Sequence, residues 1–599
     1  MSKDDLLTIN EAAKWATQFR GRRTAPHNIA YLINYAKIHT FDKNGNLRNG
    51  LNGEARISLS ELKNYFDNNS KEKQWKEVLG SQLNWSLSFD KVTEAESTKH
   101  VHRLHQYKGK FIPQLVEYFL DEHLNEFKKQ VFFQPGDIIL DPFVGSGTTL
   151  VECLELGLNS IGIDISKFNC MISEVKTRKY NLDYVTKTLR ASLKRTINYS
   201  HGTLSYDVDE EILDQMIARL NHRYFPNPRF KFLIARLRAF QATLEKEAKS
   251  LIVNNEAQFN KIQQLILDHQ DEKNDIEIEV SSFIKDADLP ISFEITPVNM
   301  GCLSGNFSER YSEKILEILE TQICRQNKLV DRVYSSSLNS PFISAWFSER
   351  QKLEMAHYLE QIEQEKDESV KNLMRVVLSR TIRSCRATTH SDLATLVEPQ
   401  IEPYYCTKHY KICKPVTSII GHLKRYTEDT IARLCEFDRL RKDVFCEVIA
   451  GDSRNLDIFS YIKTKNASFY DIMKEKKIDG IFTSPPYVGN IDYHEQHAYS
   501  YELFNIERQD ELEIGRQSLG TGLQAQVDYV NQISEVLLNA KKFLKPYAPI
   551  FIVANDSRGL YRKIAKKASL QIINEFHRPV LNRTERDKQP YAETIFQMT

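Results

Sequence analysis

The chain has no Cys-x-x-Cys pair, no long apolar run and almost no net charge, and each absence excludes something. Nine cysteines are scattered over 599 residues. The closest two, Cys406 and Cys413, stand at a spacing poorly suited to a zinc-ligand pair. All nine are therefore read as reduced thiols of a cytoplasmic protein, and no metal is expected. No stretch approaches the roughly eighteen consecutive apolar residues of a membrane span. Met1-Ser-Lys-Asp-Asp5 lacks the basic and then apolar form of a secretory signal. Formal net charge is only +1, from 81 Lys and Arg against 80 Asp and Glu. Any nucleic-acid surface must then be a local patch rather than the field of the whole molecule. Hydrophobic residues are 41% and charged residues 27% of the chain, a globular composition. The length exceeds what one core organises, so two to four domains are expected.

What is present is concentrated in one stretch, Asp137-Ile-Ile-Leu-Asp-Pro-Phe-Val-Gly-Ser-Gly-Thr-Thr-Leu-Val-Glu152. Ile138, Ile139 and Leu140 form the short apolar run of a strand covered on both faces. Pro142 ends it, having no N–H for a ladder. Gly145 and Gly147 permit a tight turn and close approach of a ligand to the backbone. Helical spacing follows (Leu150, Val151, Leu154), then a second strand, Ser160-Ile-Gly-Ile-Asp-Ile165, with an acid near its end. Strand, glycine turn, helix, strand and acid form half of a nucleotide-binding fold, in which the acid holds ribose hydroxyls. The glycine spacing is not that of a pyrophosphate site. Similar turns also occur in α/β proteins that bind no nucleotide.

A second motif lies far downstream. Cys446-Glu-Val-Ile-Ala-Gly-Asp452 reads as a third strand ending in an acid. A fourth strand at 478–482 runs straight into Thr483-Ser-Pro-Pro-Tyr487. The two motifs together resemble those of the S-adenosylmethionine-dependent DNA amino-methyltransferases, which carry Asp-Pro-Phe-x-Gly-Ser-Gly-Thr-Thr and Ser-Pro-Pro-Tyr. The resemblance covers about 100–180 and 446–599. It implies a Rossmann-like seven-stranded α/β methyltransferase sheet, completed by a strand at 549–554 and a closing hairpin of 570–576 with 593–598. It further implies that Asp141, Phe143, Gly145, Gly147 and Thr148 line the cofactor, that Asp164 binds its ribose and that Asp452 faces its adenine. A stretch similar to the family's first helix entrance, His102-Arg-Leu-His-Gln-Tyr-Lys-Gly-Lys-Phe-Ile-Pro113, implies that Lys110, Phe111, Ile112 and Pro113 close over it.

Ser484, Pro485, Pro486 and Tyr487 are the expected catalytic set. An exocyclic amine is a poor nucleophile because its lone pair is delocalised into the base. Two acceptors at its N–H groups, Ser484 Oγ and the Pro485 carbonyl, would localise that pair. The prolines hold the acceptors in place before the reaction. Tyr487 offers a face on which an extruded base can stack. Asn490, Asp492 and Tyr493 follow on a loop that either touches the base or is simply solvated. Ser at the first motif position is associated in the family with cytosine N4, and Asp or Asn with adenine N6.

The rest of the chain is read from pattern. Residues 1–68 give helix, helix, hairpin and helix, with Thr8 or Asn10 as first N-cap. This resembles a winged helix-turn-helix and is either a DNA-binding module or a packing cap. Residues 69–98 read as a linker docked by Trp75 and Trp85, and 99–181 as the first part of the methyltransferase domain. Residues 182–445 read as a mainly helical insertion with a target-recognition role, and 446–599 as the second catalytic part. Within the insertion, 371–426 carries ten Lys or Arg against three Asp or Glu. Arg375, Arg380, Arg383, Arg386, Lys408 and Lys411, interleaved with tyrosines, suit DNA phosphates. A solvated helix face is the alternative.

The expectation is therefore a base-flipping DNA methyltransferase of a bacterial or archaeal restriction-modification system. It would use S-adenosylmethionine on double-stranded DNA, with cytosine N4 as target and a possible cognate restriction endonuclease as partner. Alternatives are an adenine N6 enzyme, an RNA or tRNA amino-methyltransferase, and a non-catalytic DNA-binding regulator.

Overall fold

A computed structural model describes residues 6–580 and 591–599 except 21–23, 35–37, 46, 49–54, 69–82, 90–91, 93, 108, 110, 126–127, 204–206, 227–228, 250–263, 266, 289–302, 327–337, 339 and 391–397. The chain divides into two compact units. One contains 71–203, 334–386 and 417–599; the other contains 1–70, 204–333 and 387–416. The segment 182–445, expected as one insertion, is thus shared between them.

The first unit is built on a seven-stranded sheet. Its strands in chain order are β1 (Ile138–Asp141), β2 (Asn159–Asp164), β3 (Cys446–Ala450), β4 (Gly480–Thr483), β5 (Ile550–Ala554), β6 (Ile572–Pro579) and β7 (Ala592–Met598). Across the sheet they run 3-2-1-4-5-7-6. Strands β1 to β5 run parallel to one another, whereas β7 is antiparallel to both β5 and β6. The seven strands and the closing hairpin are those read from the sequence. Alternation across the pleat divides the apolar residues between two faces. Ile138 and Leu140 pack with Ile161, Ile481 and Ile552 on one side. Ile139 packs with Phe482, Phe551 and Phe119 on the other.

The helices that serve the site follow local signals. Helix α1 (Pro113–Leu120) begins with proline at its first position, where the missing N–H costs nothing. It ends at Asp121, which is extended. Lys128 Nζ holds the Asp121 carbonyl at 2.5 Å and its carboxylate at 2.8 Å, turning the chain there. Helix α2 (Thr148–Leu156) starts after Gly147 and stops at Gly157, both left-handed. In helix α3 (Lys167–Thr177) the Ser166 hydroxyl accepts from the Asn169 N–H. A helix at Leu182–Thr203 went unrecognised in the sequence. The Trp75 docking contact and the Trp85 side chain lie outside the described residues.

In the second unit the N-terminal order is helix (Ile9–Arg20), helix (Pro26–Asn34), a Thr40–Phe41/Leu47–Arg48 hairpin and helix (Leu59–Asn68). Thr8 is the N-cap. Its Oγ1 accepts from the Glu11 N–H at 3.2 Å while Glu11 Oε2 accepts from the Thr8 N–H at 2.8 Å, a reciprocal capping box. Ala12, Ala16, Ile29, Ile33, Ile57 and Leu62 form its core. A larger aromatic core of Phe230, Phe240, Phe283, Phe307 and Tyr311 joins the helices Arg229–Lys249, Gln270–Ala287 and Leu303–Gln326. A short hairpin, Tyr404–Cys406 with Lys411–Cys413, completes the unit.

Candidate active site

The C-terminal ends of β1, β2, β3 and β4 converge on one cavity of about 860 Å³. Asp141, the last residue of β1, anchors it. Its carboxylate accepts from Thr149 Oγ1 and Thr483 Oγ1, each at 2.6 Å, and from the Phe143 N–H at 3.1 Å. Burial pushes its pKa up to about 6 against the opposing effect of those bonds. One side chain thereby fixes the turn after β1, the first helical turn of α2 and the end of β4.

The turn itself depends on two glycines. Gly145 and Gly147 have φ of 49° and 80°. A Cβ on Gly145 would meet the Tyr107 ring at 3.1 Å, and one on Gly147 would meet Ser173 Oγ at 3.0 Å. The Gly145 N–H donates to Asp164 Oδ2 at 2.9 Å. Asp164 also accepts from the Ser166 N–H at 2.8 Å and from Asn169 Nδ2 at 3.1 Å. Burial holds its pKa above the usual aspartate value despite these donors. At the end of β3, Asp452 is engaged by its neighbour Arg454 at 2.6 Å.

Beyond β4 the chain enters Ser484-Pro-Pro-Tyr487. The Pro486 carbonyl accepts from Tyr529 Oη at 2.9 Å, and Tyr529 is bonded to Tyr561 at 2.8 Å. Tyr487 Oη donates to Glu593 Oε1 of β7 at 3.1 Å.

Of the residues expected around a cofactor, Phe111, Asp141, Phe143 and Gly145 line the cavity, as do Thr148, Asp164 and Asp452. Gly147 shapes the turn behind it. Ile112 packs with the Phe119 side of the sheet, and Pro113 is buried at the start of α1. Lys110 lies outside the described residues. Of the expected catalytic set, Ser484 and Pro486 face the cavity. Pro485 is buried, and Tyr487 packs on the core cluster of the Ile138 side.

Two further aromatics line the cavity: Tyr493, read from the sequence as either touching the base or solvated, and Tyr107, which was not singled out. Tyr107 stacks on Tyr493, centroids 5.7 Å apart, and accepts from Asn169 Nδ2 at 3.3 Å. The loop carrying Tyr493 is pinned by a short His494–Glu513 bond. The signal available was two tyrosines, each within a few residues of a motif, and Glu593 had no local signal at all.

The expected basic patch is corrected. Arg380 and Arg386 are buried. Arg380 pairs with Asp429 at 2.6 Å and lies over Tyr426; Arg386 lies over Tyr499 and donates to the Arg383 carbonyl. Arg375 is paired with Glu363 and Glu368 at 3.2 and 3.0 Å, and Arg383 is partly buried. These arginines belong to Glu368–Cys385 and its C-cap, a helix packed on α3 and on the helix Ile420–Asp438. Counting charges along the sequence could not distinguish inward from outward cations. Lys408 and Lys411 are exposed, but on the hairpin of the other unit.

Comparison with known proteins places this geometry. The family model described as DNA methylase, for the N6 and N4 enzymes, matches residues 13–175. Type II methyltransferase M.MjaII of Methanocaldococcus jannaschii is 42% identical over 602 residues, spanning 99% of this chain and 97% of that protein. Type II methyltransferase M.BsoBI of Geobacillus stearothermophilus is 34% identical over 99 residues, 16% of this chain and 18% of its own. M.MvaI of Kocuria varians is 32% identical over 109 residues, 18% and 23% of the two chains. With a relative matched along nearly its whole length, the chain belongs to the family of DNA amino-methyltransferases.

Proposed function

We propose that the protein is a type II DNA methyltransferase that uses S-adenosylmethionine to methylate the N4 amine of a cytosine extruded from duplex DNA. The observation that carries this reading is that the glycine turn after β1 and Ser484 after β4 open into one cavity, with Asp141 bonded to both sides. The residues fit the cofactor. The wall of the cavity is a turn where side chains are sterically refused, and acids stand at the ends of β2 and β3. Asp164 would hold ribose hydroxyls and Asp452 the adenine amine, with Phe111 and Phe143 against its apolar parts. When bound, the cofactor supplies an electrophilic methyl group.

The protein's own part is to prepare the amine. Ser484 Oγ and the Pro485 carbonyl accept its two N–H groups, which draws the nitrogen toward tetrahedral form and localises its lone pair. The Tyr529 bond to the Pro486 carbonyl fixes the loop, so little reorganisation accompanies the reaction. The Tyr487 ring provides the stacking face for the extruded base. Lys408 and Lys411, with the winged-helix-like module at 1–68, are the DNA contacts we assign outside the catalytic unit. The names of the relatives support a restriction-modification role, and a cognate endonuclease is the partner we assign to it.

The test is incubation with methyl-labelled S-adenosylmethionine and unmethylated DNA of mixed sequence, followed by nucleoside mass spectrometry. N4-methylcytosine is expected. N6-methyladenine would retain the mechanism and overturn the base assignment. Label in tRNA alone would overturn DNA as substrate, and cofactor binding without label would leave a regulator.

A further inference from the structure

We propose that the hairpin unit contains a structural zinc site made by His390, Cys406, His409 and Cys413. The ligand atoms of these four side chains lie within 4.8 Å of one another. Cys406 Sγ is 3.5 Å from His409 Nδ1 and 3.8 Å from His390 Nδ1, and Cys413 Sγ is 3.6 Å from His409 Nδ1. A tetrahedral zinc with its usual bond lengths sets sulfur and nitrogen ligands about 3.6 Å apart. The separations are thus those of a metal shell, with both cysteines free thiols.

The local fold presents the ligands. Cys406 ends one strand and Cys413 the other, and His409 sits in the turn between them. Tyr410 takes φ of 54°, and its N–H donates to the Cys406 carbonyl at 2.7 Å. The His409 N–H also donates to the Cys406 carbonyl, at 3.2 Å, which closes the turn. Tyr404 Oη accepts from the His390 N–H at 2.9 Å, fixing the fourth ligand's backbone. The far side of the hairpin is held by Asn221, bonded to both the N–H and the carbonyl of Ile412.

Two thiolates and two imidazoles in a closed shell select zinc, in a structural rather than a catalytic role. Binding displaces two thiol protons and changes no oxidation state. The expectation of no metal considered only the spacing of the cysteine pair. The set is completed by histidines, one inside Cys-x-x-His-x-x-x-Cys and one upstream of it.

Full-length protein purified without chelators should carry about one zinc per chain by plasma mass spectrometry. Cys406→Ser and Cys413→Ser should each lower the content at least about tenfold, while Cys435→Ser leaves it unchanged. Should the serine variants not fold, stripped wild-type chain is offered Co²⁺. Thiolate charge-transfer and tetrahedral ligand-field bands at one equivalent are then expected. Absence of zinc together with no cobalt uptake overturns the proposal. So does a Cys406–Cys413 disulfide found by peptide mass spectrometry, or full zinc content in folded serine variants.

Discussion

Thr483 Oγ1 donates to the Asp141 carboxylate at 2.6 Å, joining the last residues of β4 and β1 across 342 positions of sequence. The carboxylate is buried and its pKa is raised from 3.8 to about 6. The folded state therefore holds a proton that the unfolded chain has already released. That contribution to stability is complete below pH 3.8 and is lost as pH rises through 6. At about 1.4 kcal/mol per unit, the loss is about 3 kcal/mol. Between pH 4 and pH 7, cofactor-free wild type should lose stability relative to Asp141→Asn by about that amount. Denaturant titration of both proteins checks this, and a pH-independent difference would remove the raised pKa.

Ser484→Ala should lower kcat about 10²- to 10³-fold, the usual cost of one lost transition-state partner. Cofactor affinity by calorimetry should be unchanged, since the serine meets the base and not the cofactor. Equal losses of both would make the loop a structural element only.

Tyr487→Phe retains the ring and removes the hydroxyl bonded to Glu593 beside Ser484. We expect kcat to fall about tenfold, the scale of one hydrogen bond, with little change in DNA affinity. Glu593→Gln should follow it in the same direction. Single-turnover methylation rates distinguish this from slower product release.

Asp164→Ala should weaken S-adenosylmethionine binding about 10- to 100-fold, as expected for loss of a charged acceptor. Calorimetry on the DNA-free enzyme measures it. Unchanged affinity would leave Asp164 only as the partner of the Gly145 and Ser166 N–H groups.

Arg380→Met should lower stability by about 2 kcal/mol, less than for a fully buried pair because Asp429 is partly exposed and keeps Arg433 at 3.3 Å. The salt dependence of DNA binding should not change, because Arg380 is turned inward. A flattened log K against log salt slope would mean that this arginine reaches phosphate.

The central sheet was legible in the sequence because strands such as β1, β2 and β4 are apolar runs meeting a turn or an acid at their ends. β1, β2 and β4 are bounded by Pro142, the Asp164 acid and Pro485. Some long helices were legible by period, such as Glu349–Gln364 with its Ser348/Gln351 capping box, whereas Leu182–Thr203 and Gln270–Ala287 were not. What failed was direction rather than element. Arg380 and Arg386 read as surface charge because a helix buried on several sides leaves no gap in its pattern of cations. Glu593 and Tyr107 act on the site from positions that only the folded sheet and its covering loop bring close. The four side chains His390, Cys406, His409 and Cys413 are spread over 24 positions, which no single short motif spans.

The central pairing of the sheet also sets a timetable. β1 leaves the ribosome long before β4, its partner on one side. At roughly 5–20 residues per second, about 20–70 s of synthesis separates them. For that interval Ile138, Ile139 and Leu140 have an unpaired edge toward the missing neighbour, the condition under which strands join other chains. The nascent protein therefore depends on holding that edge apart from other strands until Gly480–Thr483 is made. Its yield should respond to translation rate and chaperone supply more steeply than the stability of the finished fold suggests.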